Sequence, residues 1–276
     1  MFAGKIWWIT GASSGIGAAL AESLGAAGAK LILSGRNVAA LKDVAARCKA
    51  PLQILPFEAT DFANIPVHVD AAWKWAAGQG GRIDGLVNNA GISQRSLAVD
   101  TAFEVYRKIV DVDLMAPIAL TQALLPRMIK AGGGSIIAIS SVAGIVGPPL
   151  RSAYAAAKHG LIGYHDALRA ETAHQGMNVL VVAPGSVRTN VSKNALDATA
   201  TARGFSDKAI DNGMDPMVAA RRILDALSAG DRELILAEGG EADIARLRRA
   251  DPNAAFDRMA RMVAQGYAQQ MGAERK

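Results

Sequence analysis

Short apolar runs alternate with longer stretches of helical periodicity from the first residues onward. Residues 5–10 (Lys-Ile-Trp-Trp-Ile-Thr) are an apolar run, and residues 15–27 have helical composition. A second run at 30–34 precedes a helical stretch at 38–48. A third at 52–57 precedes a helix at 66–77 that begins on Pro66, where a missing N–H costs nothing. After a fourth run at 85–88, residues 102–130 are long enough for one helix bent at Pro117. Runs at 135–140 and 178–182 flank a helix at 152–175, and a helix at 216–229 leads into a last run at 233–237. Strands alternating with helices predict an α/β fold, a parallel sheet of about seven strands covered on both faces. The alternation does not break before residue 240, so residues 1–240 read as a single domain.

Two segments depart from this rhythm. Residues 186–213 are polar and weakly periodic; a loop this long in a compact domain is often a lid. Residues 241–276 read as a helical C-terminal extension broken at Asp251-Pro252. Phe256, Met259, Met262, Val263 and Tyr267 share one side of it, a stripe suited to core or subunit packing.

Composition narrows the function. With 51% hydrophobic and 20% charged residues the chain is globular, not disordered. The lone cysteine, Cys48, excludes an internal disulfide framework, and His68, His159, His165 and His174 fall in no metal-ligand motif, so no metal is expected. The net charge of +5 suits anionic ligands, but no Lys/Arg block supports a nucleic-acid partner. No uninterrupted apolar run of spanning length and no signal peptide are found; no transmembrane segment and a cytoplasmic location are the expectation.

Thr10-Gly11-Ala12-Ser13-Ser14-Gly15-Ile16-Gly17 follows the first strand and opens the first helix. Gly11 allows a tight turn, Gly15 lets backbone approach a pyrophosphate, and Gly17 permits close packing of the helix on the sheet. The helix N-terminus offers free N–H groups and a positive dipole end to an anion. At the end of the second strand, Gly35 stands where an acid would bind the ribose hydroxyl of NAD, and Arg36 follows. A guanidinium there can pair with a 2′-phosphate, which favours NADP(H) over NAD(H); the alternative is a solvated loop charge. Tyr154 and Lys158, four apart in a helical stretch, share one face. A nearby ammonium favours the phenolate, so Tyr154 can exchange a proton with a carbonyl or alcohol. Ser141, at the carboxyl end of the fifth strand, can hold the substrate oxygen.

Taken in order, Thr10–Gly17, Asn88-Asn89-Ala90-Gly91, Ser141, Tyr154, Lys158 and Pro184-Gly185-Ser186-Val187-Arg188-Thr189 resemble the short-chain dehydrogenase/reductase family. The resemblance implies a three-layer, Rossmann-type, doubly wound domain and hydride transfer with NAD(P). It makes Tyr154 the general acid/base, with Lys158 lowering its pKa and holding the nicotinamide ribose, and Ser141 orienting the carbonyl. Asn88 would support the central sheet. Gly11, Ser13, Ser14, Gly15, Ile16, Gly17, Arg36, Glu58, Ala59, Asn89, Ala90 and Gly91 become cofactor contacts, Glu58 replacing the family's usual aspartate. Pro184, Gly185, Val187 and Thr189 would line the nicotinamide side. A homodimer or homotetramer through the helices at 102–130 and 152–175 is also implied.

One departure is chemical. Asp113 stands where the family carries an asparagine that holds a relay water, and Ala116 where glycine is common. An aspartate accepts the same hydrogen bond but cannot donate one when ionised, and its charge raises the tyrosine pKa. The expectation is a working relay with a shifted pH profile, and Asp113 counts as a catalytic candidate. Residues 93–97 (Ser-Gln-Arg-Ser-Leu) and 119–128 resemble the member-7-type dehydrogenase/reductases, which implies a lipophilic carbonyl or secondary-alcohol substrate. Ser93, Gln94, Ile145, Val146, Pro148 and the lid are the expected substrate wall. The competing reading is an NADP-binding regulatory or structural protein without turnover.

Overall fold

The structure, a computed structural model, describes residues 1–273. Seven strands form one wholly parallel sheet in the order β3-β2-β1-β4-β5-β6-β7. They are β1 (Ile6–Thr10), β2 (Lys30–Ser34), β3 (Leu52–Ile54), β4 (Ile83–Asn88), β5 (Gly134–Ile139), β6 (Met177–Pro184) and β7 (Glu233–Leu236). Helices α1 (Gly15–Ala26), α2 (Val38–Arg47), α3 (Ile65–Gly78), α4 (Phe103–Val110), α5 (Ala116–Lys130) and α6 (Ser152–Thr172) follow in chain order. A short α7 (Lys208–Asp211), then α8 (Pro216–Ala229), α9 (Gly239–Ala250), α10 (Pro252–Ala264) and α11 (Tyr267–Ala273) complete the described chain.

The two adjacent tryptophans of β1 show how the layers form. Successive side chains of a strand point to opposite faces. Trp7 packs with Leu24, Leu33 and Ile223 on the side covered by α1 and α8, and Trp8 packs with Val69, Leu120 and Leu124 on the side covered by α3 and α5. All five residues of β1 are buried, as a sheet covered on both faces requires. The Trp8 indole N–H is satisfied by Ser34 Oγ at 2.8 Å.

The chain runs outward through β1, β2 and β3, then returns to add β4 on the other side of β1. The carboxyl ends of β1 and β4 therefore diverge into a crevice, where ligands bind in such sheets. Thr10 holds this point together. Its hydroxyl donates to Val87 O at 3.1 Å and accepts from Asn89 N at 3.0 Å, while the Asn89 amide donates to Thr10 O at 3.0 Å.

Three expectations are refined. The helix expected over 102–130 is α4 and α5 joined by a π turn at Asp111–Met115, where Ala116 N–H reaches back five residues to Asp111 O. Pro117 has no N–H for the carbonyl four residues earlier, so the ladder opens one turn before the proline. The segment Phe103–Lys130 is long and apolar enough to cross a membrane by length and composition. In this fold Leu120, Leu124 and Met128 are instead in the core against the sheet. In the C-terminal extension, Ala255 and Met259 pack against Ile145 and Ile244, whereas Phe256 and Val263 are 52% and 37% exposed. The expected single-sided stripe is split, with Arg248 covering the Phe256 ring. Residues 274–276 of that extension lie outside the described residues.

His165, on α6, is wholly buried; its Nδ1 lies 2.8 Å from Leu161 O and its Nε2 has no partner. Burial pulls its pKa down to about 4. The unfolded chain, with a histidine near 6.5, then binds the extra proton first as pH falls. Stability should therefore decline between about pH 6.5 and 4, by at most about 3 kcal/mol from this group. Urea denaturation across that range should show a slope that His165→Gln flattens; an unchanged slope would mean that other groups set it.

Candidate active site

The crevice opens into a cleft of about 640 Å³ running along the carboxyl edge of the sheet. Its walls bring together Gly11, Ser13, Ser14, Gly15 and Ile16 from the loop after β1, Arg36 after β2, and Glu58 and Ala59 after β3. Asn89, Ala90 and Gly91 follow β4, Ser141 follows β5, and Pro184, Gly185, Val187 and Thr189 end or follow β6. Asp113, Tyr154 and Lys158 come from the helical layer. Gly17, expected as a cofactor contact, is not on the cleft wall. A side chain there would stand 2.4 Å from both the Asn89 amide and Gly11 O, so this glycine lets α1 begin hard against the crossing point. Asn88 also faces away, donating to Thr121 Oγ1 at 2.9 Å within the buried helical layer.

The loop has the features an anion needs. Gly11 and Gly15 have φ of +62° and +57°, a region that favours glycine. A Cβ at Gly15 would meet the Thr189 methyl at 2.8 Å. Ser14 caps α1 without a side-chain hydrogen bond, leaving N–H groups of the first turn for a ligand. A Cβ at Gly91 would lie 3.0 Å from Asp113 Oδ2 and 3.4 Å from Lys158 Nζ, so that position too stays open only for glycine. These open walls and free donors fit an extended anionic dinucleotide.

Asp113 and Lys158 form a buried ion pair, Oδ2 to Nζ 3.1 Å, with side chains 0% and 5% exposed. Asp113 Oδ1 accepts from Ile92 N at 2.8 Å, and Lys158 Nζ donates to Ile139 O at 3.1 Å. The Oδ2 contact lacks the alignment of a hydrogen bond and is held by charge. Burial pushes the Asp113 carboxyl up against the pull of Lys158. Burial alone would lower the Lys158 ammonium, but the Asp113 carboxylate together with Tyr154 outweighs it and moves the lysine above its ordinary value. Nζ lies 5.6 Å from the centre of the Tyr154 ring. Ser141 Oγ accepts from Ala143 N at 3.1 Å and donates to Pro184 O at 3.3 Å, so the hydroxyl is held at the cleft wall.

Arg36 pairs with Glu58 at 3.5 Å, both largely exposed, at the far end of the cleft. Such a pair is weak and readily exchanged for a stronger anion.

The substrate wall differs from expectation. Ser93, Gln94, Ile145, Val146 and Pro148 do not line the cleft. Ile145 and Val146 are core residues beneath α9. Gln94 is wholly buried and its Oε1 accepts from Ala153 N at 2.8 Å, which fixes the start of α6 one residue before Tyr154. The wall comes from the lid, through Asn190, Val191, Asn194, Leu196, Ala200, Ala202 and Ile210, and from Ile92. Lys108 and Val112 also line the cleft. They sit one helical turn apart beside Asp113, and that spacing was their only signal in the sequence. The lid is pinned by Leu196 N to Ser93 O and Arg95 N to Leu196 O, each 2.8 Å, and by Asp207. The Asp207 carboxylate bonds both Arg95 and Arg203, all three side chains being buried. Burial would raise the Asp207 carboxyl, but Arg95 and the hydrogen bonds from Arg203 and Ser192 hold it down at about 2.

A family model described as short chain dehydrogenase matches residues 5–200. A zebrafish (Danio rerio) protein, dehydrogenase/reductase SDR family member 7B, is 38% identical over 262 residues, 93% of this chain and 84% of its own. Among solved structures, a short-chain dehydrogenase from Streptomyces avermitilis is 32% identical with a TM-score of 0.76, over 96% of this chain and 99% of its own. A short-chain dehydrogenase from Sphingobium yanoikuyae in complex with NADPH is 26% identical with a TM-score of 0.75, over 92% of this chain and 96% of its own.

Removing one partner of a buried ion pair leaves the other charge uncompensated. Asp113→Ala should therefore lower the unfolding free energy by about 3–5 kcal/mol. Asp113→Asn should cost less, because its side-chain carbonyl still accepts from Ile92 N. Chemical denaturation of both variants checks this; equal losses would mean that the bond from Ile92 N contributes nothing and that the whole effect is the lost charge.

Proposed function

The chain belongs to the short-chain dehydrogenase/reductase family, in its member-7 branch, and from that premise we propose an oxidoreductase that moves a hydride between NADP(H) and a lipophilic carbonyl or secondary alcohol. The observation that carries this reading is the meeting of Tyr154, Lys158 and Ser141 with the glycine loop on the walls of one cleft. A nicotinamide cofactor held there would supply the hydride chemistry. The phenol of Tyr154 gives its proton to the carbonyl oxygen in reduction and takes it back in oxidation. The Lys158 ammonium favours the phenolate, and Ser141 orients the oxygen. Asp113 neutralises part of the Lys158 charge, which an amide at that position would leave in full.

The lid supports a lipophilic substrate. Val191, Leu196, Ala200, Ala202 and Ile210 are apolar, and Thr189, Asn190 and Asn194 are its polar side chains on the cleft. Preference for NADP(H) is supported by Arg36, whose weak pairing with Glu58 a phosphate dianion would displace, and by the absence of an acid at Gly35. The reading as a cofactor-binding regulator without turnover is the less favoured one, because both Tyr154 and Lys158 are present.

NADPH should bind at least about tenfold tighter than NADH, and Arg36→Leu should remove most of that margin while leaving NADH unchanged. Fluorescence titration reads both; equal affinities in the wild type would refute a 2′-phosphate site. With a panel of apolar ketones, Tyr154→Phe should reduce turnover by about 10²–10⁴. Failure of the wild type to turn over any of them would favour the regulator. Asp113→Asn should shift the pH profile of alcohol oxidation to lower pH, with maximal turnover within about tenfold of wild type. A gain of orders of magnitude at neutral pH would show that the aspartate blocks the relay.

A further inference from the structure

We infer that Glu241, from the C-terminal extension, is a positioning residue for the nicotinamide end of the cleft; this rests on the reading of the site as a dinucleotide-dependent oxidoreductase. Glu241 lies in the first turn of α9, outside the segment that carries the family motifs, and is not itself on the cleft wall. Its carboxylate nonetheless takes both polar hydrogens of Ser186. Oε2 accepts from Ser186 N at 2.6 Å, and Oε1 accepts from Ser186 Oγ at 2.9 Å. Ser186 O is held from the other side by Met214 N at 2.9 Å. Every polar group of this residue is thus engaged, and the peptide plane between Gly185 and Ser186 has one orientation. That plane sets the direction in which the chain presents Val187 to the cleft.

A second observation is independent of the hydrogen bonds. A Cβ at Gly185 would stand 2.3 Å from Glu241 Oε2 and 2.9 Å from the Ala237 side chain. Gly185 does not have a positive φ. Its lack of a side chain is therefore required by the approach of the carboxylate and of Ala237, not by backbone conformation. The carboxylate is also well placed chemically. It sits in the first turn of a helix, where the dipole favours negative charge, and an ionised carboxylate accepts at both oxygens. Charge-assisted bonds of this kind are about twice as strong as neutral ones.

The test compares wild type, Glu241→Ala and Glu241→Gln in titrations with NADPH and with 2′,5′-ADP, which carries the adenosine and its phosphates but no nicotinamide. Glu241→Ala should weaken NADPH by at least about tenfold and leave 2′,5′-ADP unchanged. Glutamine can accept from Ser186 N and donate to its hydroxyl, so Glu241→Gln should restore NADPH binding to within about threefold of wild type. Should Glu241→Ala not fold, Ser186→Ala removes one of the two bonds and should weaken NADPH by a few-fold, again sparing 2′,5′-ADP. NADPH binding as tight in Glu241→Ala as in wild type overturns the inference. So does an equal loss of both ligands, which would mark a general structural effect. A wild type that binds neither ligand would instead refute the underlying reading of the site.

Discussion

Two charges removed from water must find each other, and Asp113 and Lys158 do so where four segments converge. Asp113 sits in the π turn between α4 and α5, Lys158 on α6, and their remaining bonds reach the chain after β4 at Ile92 and the end of β5 at Ile139. The Lys158 carbonyl accepts from Ser140 Oγ at 2.9 Å, closing the same knot through the backbone. Burying a lone ammonium or carboxylate here would cost several kcal/mol, so each group's presence depends on the other. The pair also limits the chemistry. An ammonium has three donors; Ile139 O takes one and the Asp113 carboxylate balances the charge, which leaves donor capacity for whatever enters the cleft.

The lid is tied down by the same logic applied to a different centre. Arg95, after β4, and Arg203, in the lid, share the Asp207 carboxylate, and Arg151 stands 3.8 Å from it at the entrance to α6. One carboxylate facing three guanidiniums leaves an excess of positive charge in a buried place. Burial and Arg151 accordingly bring Arg95 down to about 10. Such a cluster contributes less to stability than its contacts suggest, but it admits few alternatives: the lid can settle only where Asp207 meets both arginines. Exposed pairs such as Arg36–Glu58 and Arg188–Asp215 impose no comparable constraint. The lid is thereby anchored at its base by buried ion pairs, while the far end of the cleft is bounded by exposed ones.

Hydrophobic periodicity placed all seven strands, because a strand buried on both faces is a short apolar run and little else in the chain looks like one. It missed the π turn, because the opening depends on a carbonyl losing its donor to Pro117, a backbone effect invisible to side-chain pattern. Of the candidate site residues, those on loops after strands were legible, since chain order fixes which loop follows which strand, and parallel connections bring those loops to one edge. The packing role of Gly17 was legible, but the residue it packs against, Asn89, was not, because it lies far away in sequence. Ser93 and Gln94 were misjudged for the opposite reason. They follow a cofactor loop directly, but the bond of Gln94 to Ala153 turns that stretch inward as a brace for α6. The lid residues on the cleft had no signal of their own beyond the length and polarity of the segment.

The sheet order also explains why the two ends of the cleft behave differently. Loops after β3, β2 and β1 lie on one side of the crossing point and hold Glu58, Arg36 and the glycine turn. Loops after β4, β5 and β6 continue on the other side with Gly91, Ser141 and Val187. Spatial order along the edge therefore becomes chemical order, with Arg36 and the glycine turn at one end and the Ser141 hydroxyl and Tyr154 phenol towards the other. The β6 end is the one the chain covers last, because β7 closes the sheet beside it and α9 turns back over its loop. A segment after the family match thus bears on the reacting end while leaving the phosphate end untouched. That division follows from the sheet order: the final strand joins at the free edge beside β6, and the helix that follows it packs there.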